Sequence, residues 1–277
     1  MFYYRNWELF CSWVNSVGIK NSTAQKSLTS SSDDRFIVFK HDVETNVPRA
    51  FKLAEIENKY GICGSYYVQA YLLENPQNVE LLQKMQAMGH EISYHYDVLD
   101  ANNGDFIRAE KDFDKWLQKF KDLGFKFSTI CQHGNPVKNR VGYNSNRDFF
   151  RNHEIRNRHS DLVDMVVNYS TYAKRPYAYI SDAGYMWKHI SDSENNDINL
   201  TIKDEPIGNF IKLKEFILSS NSNIILSTHP HRWVSSRSKI ESKILVFKIV
   251  RKSIRFIQKF PGANWLLNRF YFLAKKI

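Results

Sequence analysis

Four consecutive apolar residues, Phe36-Ile37-Val38-Phe39, run without a break into a polar cluster that holds His41, Asp42 and Glu44. A short apolar run bounded by polar residues reads as a strand buried on both faces. Core strands rarely end in a burst of ionisable groups unless chemistry is done there. Residues two apart on a strand point the same way, so Asp42 and Glu44 share one face, with His41 alongside.

This strand opens a regular alternation. Helical patterns span 47–60, 75–88, 105–123, 146–159 and 206–218, with Pro48 and Pro76 tolerated in first turns and Gly61, Gly89 and Gly124 as stops. Between them lie strand patterns at 64–69, 90–96, 127–132, 165–169, 177–180 and 224–228. Residues 1–19 form an amphipathic helix on this reading, and 20–34 a Ser/Thr-rich loop. Seven strands interleaved with helices predict an α/β fold with a parallel sheet and helical crossovers. One neutral body of this size favours a closed or nearly closed barrel over an open sheet. The expected organisation is an N-terminal helix and loop (1–34), a barrel (35–234) and a basic helical tail (235–277).

Four of these strands end in polar residues spaced i, i+2. They are Asp42 and Glu44; His95 and Asp97; His133 and Asn135; and His229 and His231, the last followed by Arg232. In a parallel barrel all strand C-termini lie at one mouth, where active sites sit. Histidine and carboxylate ligands converging without cysteine suit a catalytic divalent metal with an open position. A carboxylate left free of the metal can act as general base, and a histidine opposite it as general acid.

These motifs resemble the polysaccharide deacetylases of the NodB-homology family, over roughly residues 35 to 233. Asp42-Val43-Glu44 is similar to the family's first motif. Gly89-His90-Glu91-Ile92-Ser93-Tyr94-His95 looks like the approach to its second. Cys131-Gln132-His133-Gly134-Asn135-Pro136 falls where the groove-forming motif would lie. Ser181-Asp182-Ala183-Gly184-Tyr185-Met186-Trp187 falls at a pocket-shaping motif, and Leu226-Ser227-Thr228-His229 is similar to the last.

The resemblance implies a distorted seven-stranded (β/α) barrel and a metal-dependent hydrolase that removes an acetyl group, as amide or ester, from an amino sugar or other carbohydrate in surface polysaccharide assembly. It implies Asp42 as base, His229 as acid, and Glu44 and His95 as ligands of a divalent metal, zinc by expectation. Leu99 stands where the family has a second metal histidine, and Asp97 is the nearest substitute. His41, His133, Asn135, Asp182, Trp187, His231 and Arg232 are expected to contact the sugar. Tyr94, Tyr96 and Trp233, with Trp187, offer flat faces to sugar rings or serve as core. A metal-free carbohydrate-binding protein on the same barrel, or another sugar-modifying enzyme such as an amide-forming one, stays open beside the hydrolase.

Charge separates body from tail. Residues 235–277 hold eleven Lys or Arg against one acid, Glu241, which equals the net charge of +10, so the other residues balance. A nucleic-acid-binding domain would show basic groups across a folded face, and none is expected here. Ile240 to Phe260 reads as a basic amphipathic helix, with Trp265 to Ile277 a second mixed segment. Such segments suit an anionic membrane surface, or pack an apolar face on the barrel. Three cysteines without paired spacing, no signal-peptide core in Met1 to Leu28 and no long apolar stretch predict a cytoplasmic protein, peripheral at the inner face of the membrane if the tail binds there. The carbohydrate would then be lipid-linked.

Overall fold

In the computed structural model, residues 1–30, 34–135, 138–199, 201 and 203–257 are described. Ten strands form one sheet: β1 (Lys20–Ser22), β2 (Phe36–Val43), β3 (Ser65–Val68), β4 (Glu91–Tyr96), β5 (Thr129–Gln132), β6 (Val163–Asp164), β7 (Tyr177–Ser181), β8 (Trp187–Ile190), β9 (Glu205–Gly208) and β10 (Asn223–Thr228). The spatial order is β6-β5-β4-β3-β2-β10-β7-β8-β9. From β6 through β7 every pairing is parallel, whereas β8 and β9 continue the path antiparallel. The fold is therefore mixed α/β with a mostly parallel central sheet. Among the described residues no pairing joins β6 to β7, so strand pairing runs as an open path and does not by itself close the expected closed or nearly closed barrel.

Helices occupy the crossovers because the chain carries start signals where the strands stop. Asn46, Asn75 and Asp105 accept amide protons from the first turns of Val47–Lys59, Pro76–Ala87 and Phe106–Asp122. Gly61, Gly89 and Gly124 follow these helices with positive φ, the conformation that ends a helix cheaply only at glycine.

Register fixes which side chains share a face, because paired residues in neighbouring strands point the same way. Val38, Lys40 and Asp42 of β2 lie on the inner face with Tyr67, Ser93, Ser227 and Tyr179. Ile37, Phe39, His41 and Val43 face outward into a helix-covered core. That outer core holds Trp7, Phe10, Leu226 and Trp233 on one side and Tyr66, Ile92, Tyr94 and Phe113 on the other. The inner apolar cluster is smaller and includes Val38, Tyr67, Cys131, Met165 and Ile225. A buried aliphatic or aromatic side chain contributes about 1.5–3 kcal/mol, so the outer layers carry most of the stability and leave the inner face free for polar groups.

Several elements differ from the sequence reading. The stretch 20–34 contains β1, which pairs with the first half of β2, and a short helix Ala24–Thr29. The helix expected over 146–159 is two, Arg147–Arg151 and His153–Arg158, because Asn152 turns extended and its side chain caps the second. The strand expected at 165–169 is displaced to Val163–Asp164. Asp164 accepts from the Val166 amide and Asn168 caps back onto the Asp164 amide, so the chain turns there. Residues 206–208, read as the start of a helix, belong to β9 (Glu205–Gly208), with Pro206 tolerated on an edge strand.

The helix Arg237–Ile257 packs Ile240, Ile244 and Phe247 against the outer core. The second tail segment, Trp265 to Ile277, lies outside the described residues. Among those that are described, no helix is long and apolar enough to cross a membrane.

Candidate active site

The C-terminal ends of β2, β4, β5, β7 and β10 converge on a cavity of about 410 Å³ lined by Lys40, Asp42, Glu44, His95, Cys131, Gln132, Arg147, Tyr179 and His229, among others. Of the twelve residues expected from sequence, Asp42, Glu44, His95, His133 and His229 come together here.

Asp42 is bound by a residue that the sequence reading passed over. The Lys40 ammonium, fully buried, donates to Asp42 Oδ1 and lies 5.3 and 5.9 Å from the ring centroids of Tyr67 and Tyr179. Burial opposes the charge on both partners. The pair nevertheless holds Lys40 well above the ordinary lysine pKa and Asp42 down at about 2, with His95 and His229 helping to lower Asp42. The signal was available: Lys40 has the strand parity of Asp42 and Glu44.

Glu44 continues the same face. Its Oε1 lies 3.3 Å from His133 Nε2 and 3.7 Å from His229 Nε2. Burial works against the carboxylate, but His133 first and then His229 and His231 keep its pKa well below the usual range. His95 Nδ1 is 3.0 Å from the Cys131 carbonyl, an acceptor only, so the proton sits on Nδ1 and Nε2 keeps its lone pair. Burial lowers the His95 pKa to about 3, leaving the ring neutral.

Two groups of side chains among the described residues have ligand atoms within 4.8 Å of one another: Glu44, His95 and His133, and Asp42, His95 and Cys131. The first is a two-histidine, one-carboxylate set with donor types suited to a divalent transition metal. His133 Nε2 is buried and meets the Glu44 carboxylate at 3.3 Å, so these two donors lie close enough to share an ion. In the second group burial pushes the Cys131 thiol well above its ordinary pKa, so it is protonated and a poor ligand. The residues present thus fit a metal on Glu44, His95 and His133.

His229 stands opposite. Its Nδ1 is 2.6 Å from Asp182 Oδ1, and its backbone amide donates to Asp182 Oδ2 at 3.0 Å. Arg232 donates to the same carboxylate at 2.7 Å. Burial raises the Asp182 pKa, but Arg232 and His229 outweigh it and keep the group ionised. Asp182 therefore orients His229 so that Nε2 points to the cavity, 4.0 Å from Asp42 Oδ2.

The remaining expected residues take other places. Asp97 joins neither metal group: β4 stops at Tyr96 and Asp97 turns into the short helix Val98–Ala101, so it does not follow His95 by parity. His133 supplies the second histidine instead. His41 faces the outer core, where Nδ1 meets Thr228 Oγ1 at 2.6 Å and Nε2 meets Glu57 Oε1 at 2.9 Å. Trp187, like Tyr94, Tyr96 and Trp233, is buried in the outer core and offers no face to a sugar. Asp182, His231 and Arg232 stand behind or beside His229 rather than in the cavity wall; the His231 ring lies 5.8 Å from that of His229. Asn135 is half-buried, and its carbonyl accepts from Arg140 at 2.8 Å.

Residues that the sequence reading missed complete the cavity. Arg147 comes from the helix after β5, and Ser193, Asn196 and Asp204 come from the connection between β8 and β9. Asp197 in that connection pairs with Arg147 at 2.8 Å and Arg151 at 2.7 Å. No family model, no curated protein and no solved structure matches this chain.

Proposed function

We propose that this protein is a metal-dependent hydrolase that removes an acetyl group from a carbohydrate, on a distorted seven-stranded barrel of the NodB-homology kind left open between β6 and β7. The observation that carries this reading is the grouping of Glu44, His95 and His133 within ligand distance on the inner face, with Asp42 and His229 on either hand.

A divalent ion held by Glu44, His95 and His133, zinc by expectation, would polarise the acetyl carbonyl and make a water more acidic. Asp42, ionised through its pairing with Lys40, accepts a proton from the attacking water as the water oxygen bonds to the carbonyl carbon. His229, protonated at Nε2 and steadied by Asp182 at Nδ1, gives its proton to the departing nitrogen or oxygen as that bond to carbon breaks. The products are acetate and the free amine or alcohol. Among the described residues Tyr179 is the only Phe, Tyr or Trp lining the cavity, which supports recognition by hydrogen bonds rather than stacking.

The test is metal analysis of the purified protein together with acetate release from acetylated amino sugars and oligosaccharides. Stoichiometric metal lost on His95→Ala and on His133→Ala is expected. Asp42→Asn should release acetate about 10²–10⁴-fold more slowly. A folded protein that takes up no zinc yet binds the sugars would make it a carbohydrate-binding module instead. Retention of metal by His133→Ala together with loss by Asp97→Ala would overturn the ligand set.

A further inference from the structure

Among the described side chains of the helix Arg237–Ile257, one apolar stripe faces the body and a second does not. Ile240, Ile244 and Phe247 pack inward, with the Phe247 ring 5.2 Å from that of Tyr185. On the other side Leu245, Val246 and Ile249 are 60%, 41% and 56% exposed. Leu245 and Ile249 are one turn apart, and the exposed Lys248 and Lys252 flank them.

The helix is fastened at the rim of the site. Lys243 Nζ donates to the His231 carbonyl at 3.3 Å, and the guanidinium of Arg49 reaches the same oxygen. Tyr185, which Phe247 touches, lies three residues beyond Asp182. The exposed stripe is therefore carried by an element that borders the loops holding His229 and Asp182.

We infer that this helix docks on an anionic lipid surface, with Leu245, Val246 and Ile249 in the headgroup boundary and Lys248 and Lys252 on lipid phosphates. Charge complementarity selects this occupant: residues 235–277 hold eleven basic groups and one acidic, while the rest of the chain is balanced. An amphipathic helix with large aliphatics on one line and lysines beside them is the form such a surface binds. A nucleic acid would use the lysines and leave the aliphatics in water. The consequence for substrate rests on the deacetylase reading: a sugar on a lipid anchor would reach the rim from the surface on which the helix lies.

The experiment is co-sedimentation of the full chain with phosphatidylcholine vesicles, with and without phosphatidylglycerol. Binding is expected only where phosphatidylglycerol is present. It should fall roughly tenfold or more in Leu245→Asp/Ile249→Asp and also in Lys248→Glu/Lys252→Glu. Unchanged thermal melts would show both variants folded, since all four side chains are exposed. Equal binding with and without phosphatidylglycerol, no binding at all, or wild-type binding by the Leu245→Asp/Ile249→Asp variant overturns the docking. The last result would mark a bare polyanion attraction, shared with nucleic acid. None of these readouts involves metal or hydrolysis, so failure here and failure of the deacetylase reading remain separate.

Discussion

A lysine ammonium with no solvent contact is costly unless a counterion sits on it, and Lys40 has Asp42. Removing one member strands the other. Lys40→Met and Asp42→Asn should each cost about 3–5 kcal/mol in urea unfolding, while the double variant should cost clearly less than their sum. Additive costs would mean that the pair is not a unit. A second buried carboxyl behaves oppositely. Burial raises Asp164 to about 6, outweighing the lowering pull of the Val166 amide and the Tyr96 hydroxyl. Between the ordinary aspartate value and 6 the folded chain keeps a proton that the unfolded chain has lost, so stability falls as pH rises through that window. Asp164→Asn should match the wild type near pH 4 and exceed it at neutral pH by on the order of 3 kcal/mol. Parallel stability curves would refute this. At this scale the sequence was partly legible. Strand parity joins Asp42 to Glu44 and, had it been applied strictly, would have enlisted Lys40 and sent His41 to the other face. Parity fails at Asp97 because the strand ends one residue earlier, and nothing local to His133 says that it reaches Glu44 from β5, three places along the sheet from β2.

Elements are tied together by Glu57. From the helix Val47–Lys59 it accepts from Trp7 Nε1 at 3.0 Å and Tyr66 Oη at 2.8 Å, and it faces His41. One carboxylate thus joins the N-terminal helix, the first crossover helix, β2 and β3. Burial raises its pKa, yet His41 and then His90 keep it lowered. Gly64, before β3, is where this junction has no slack: a Cβ there would lie 2.8 Å from Glu57 Oε2 and 3.1 Å from the His41 ring. Glu57 is held by three partners and cannot swing away, so Gly64→Ala should destabilise by about 1–3 kcal/mol, read as a lower denaturation midpoint with an unchanged slope. An unaffected midpoint would show that the junction can relax. The helices at 47, 76 and 106 were legible because caps, prolines and glycines punctuate them. Strands β8 and β9 were not, since β8 is short and only partly buried and Pro206 reads equally well as a first helical turn.

For the molecule as a whole, the proposed metal site carries a stability prediction. An ion that binds only the folded chain adds about 2.7 kcal/mol at a hundredfold excess over its dissociation constant. Zinc should therefore raise the melting temperature by several degrees, chelator should reverse this, and His133→Ala should abolish the response. A rise retained in His133→Ala would place the ion elsewhere. The parallel α/β class was legible from the alternation alone; closure was not, because the tie between β6 and β7 is a matter of tertiary geometry rather than periodicity. Where that tie is missing, the chain between β8 and β9 lines the cavity with Ser193, Asn196 and Asp204, and Asp197 clasps it to Arg147 and Arg151. Among the described residues, that side of the chamber is a strap and not a hydrogen-bonded strand. On the deacetylase reading, the strap's sequence can change while Asp42 and His229 stay at the ends of β2 and β10, so substrate choice and bond cleavage would be separately replaceable.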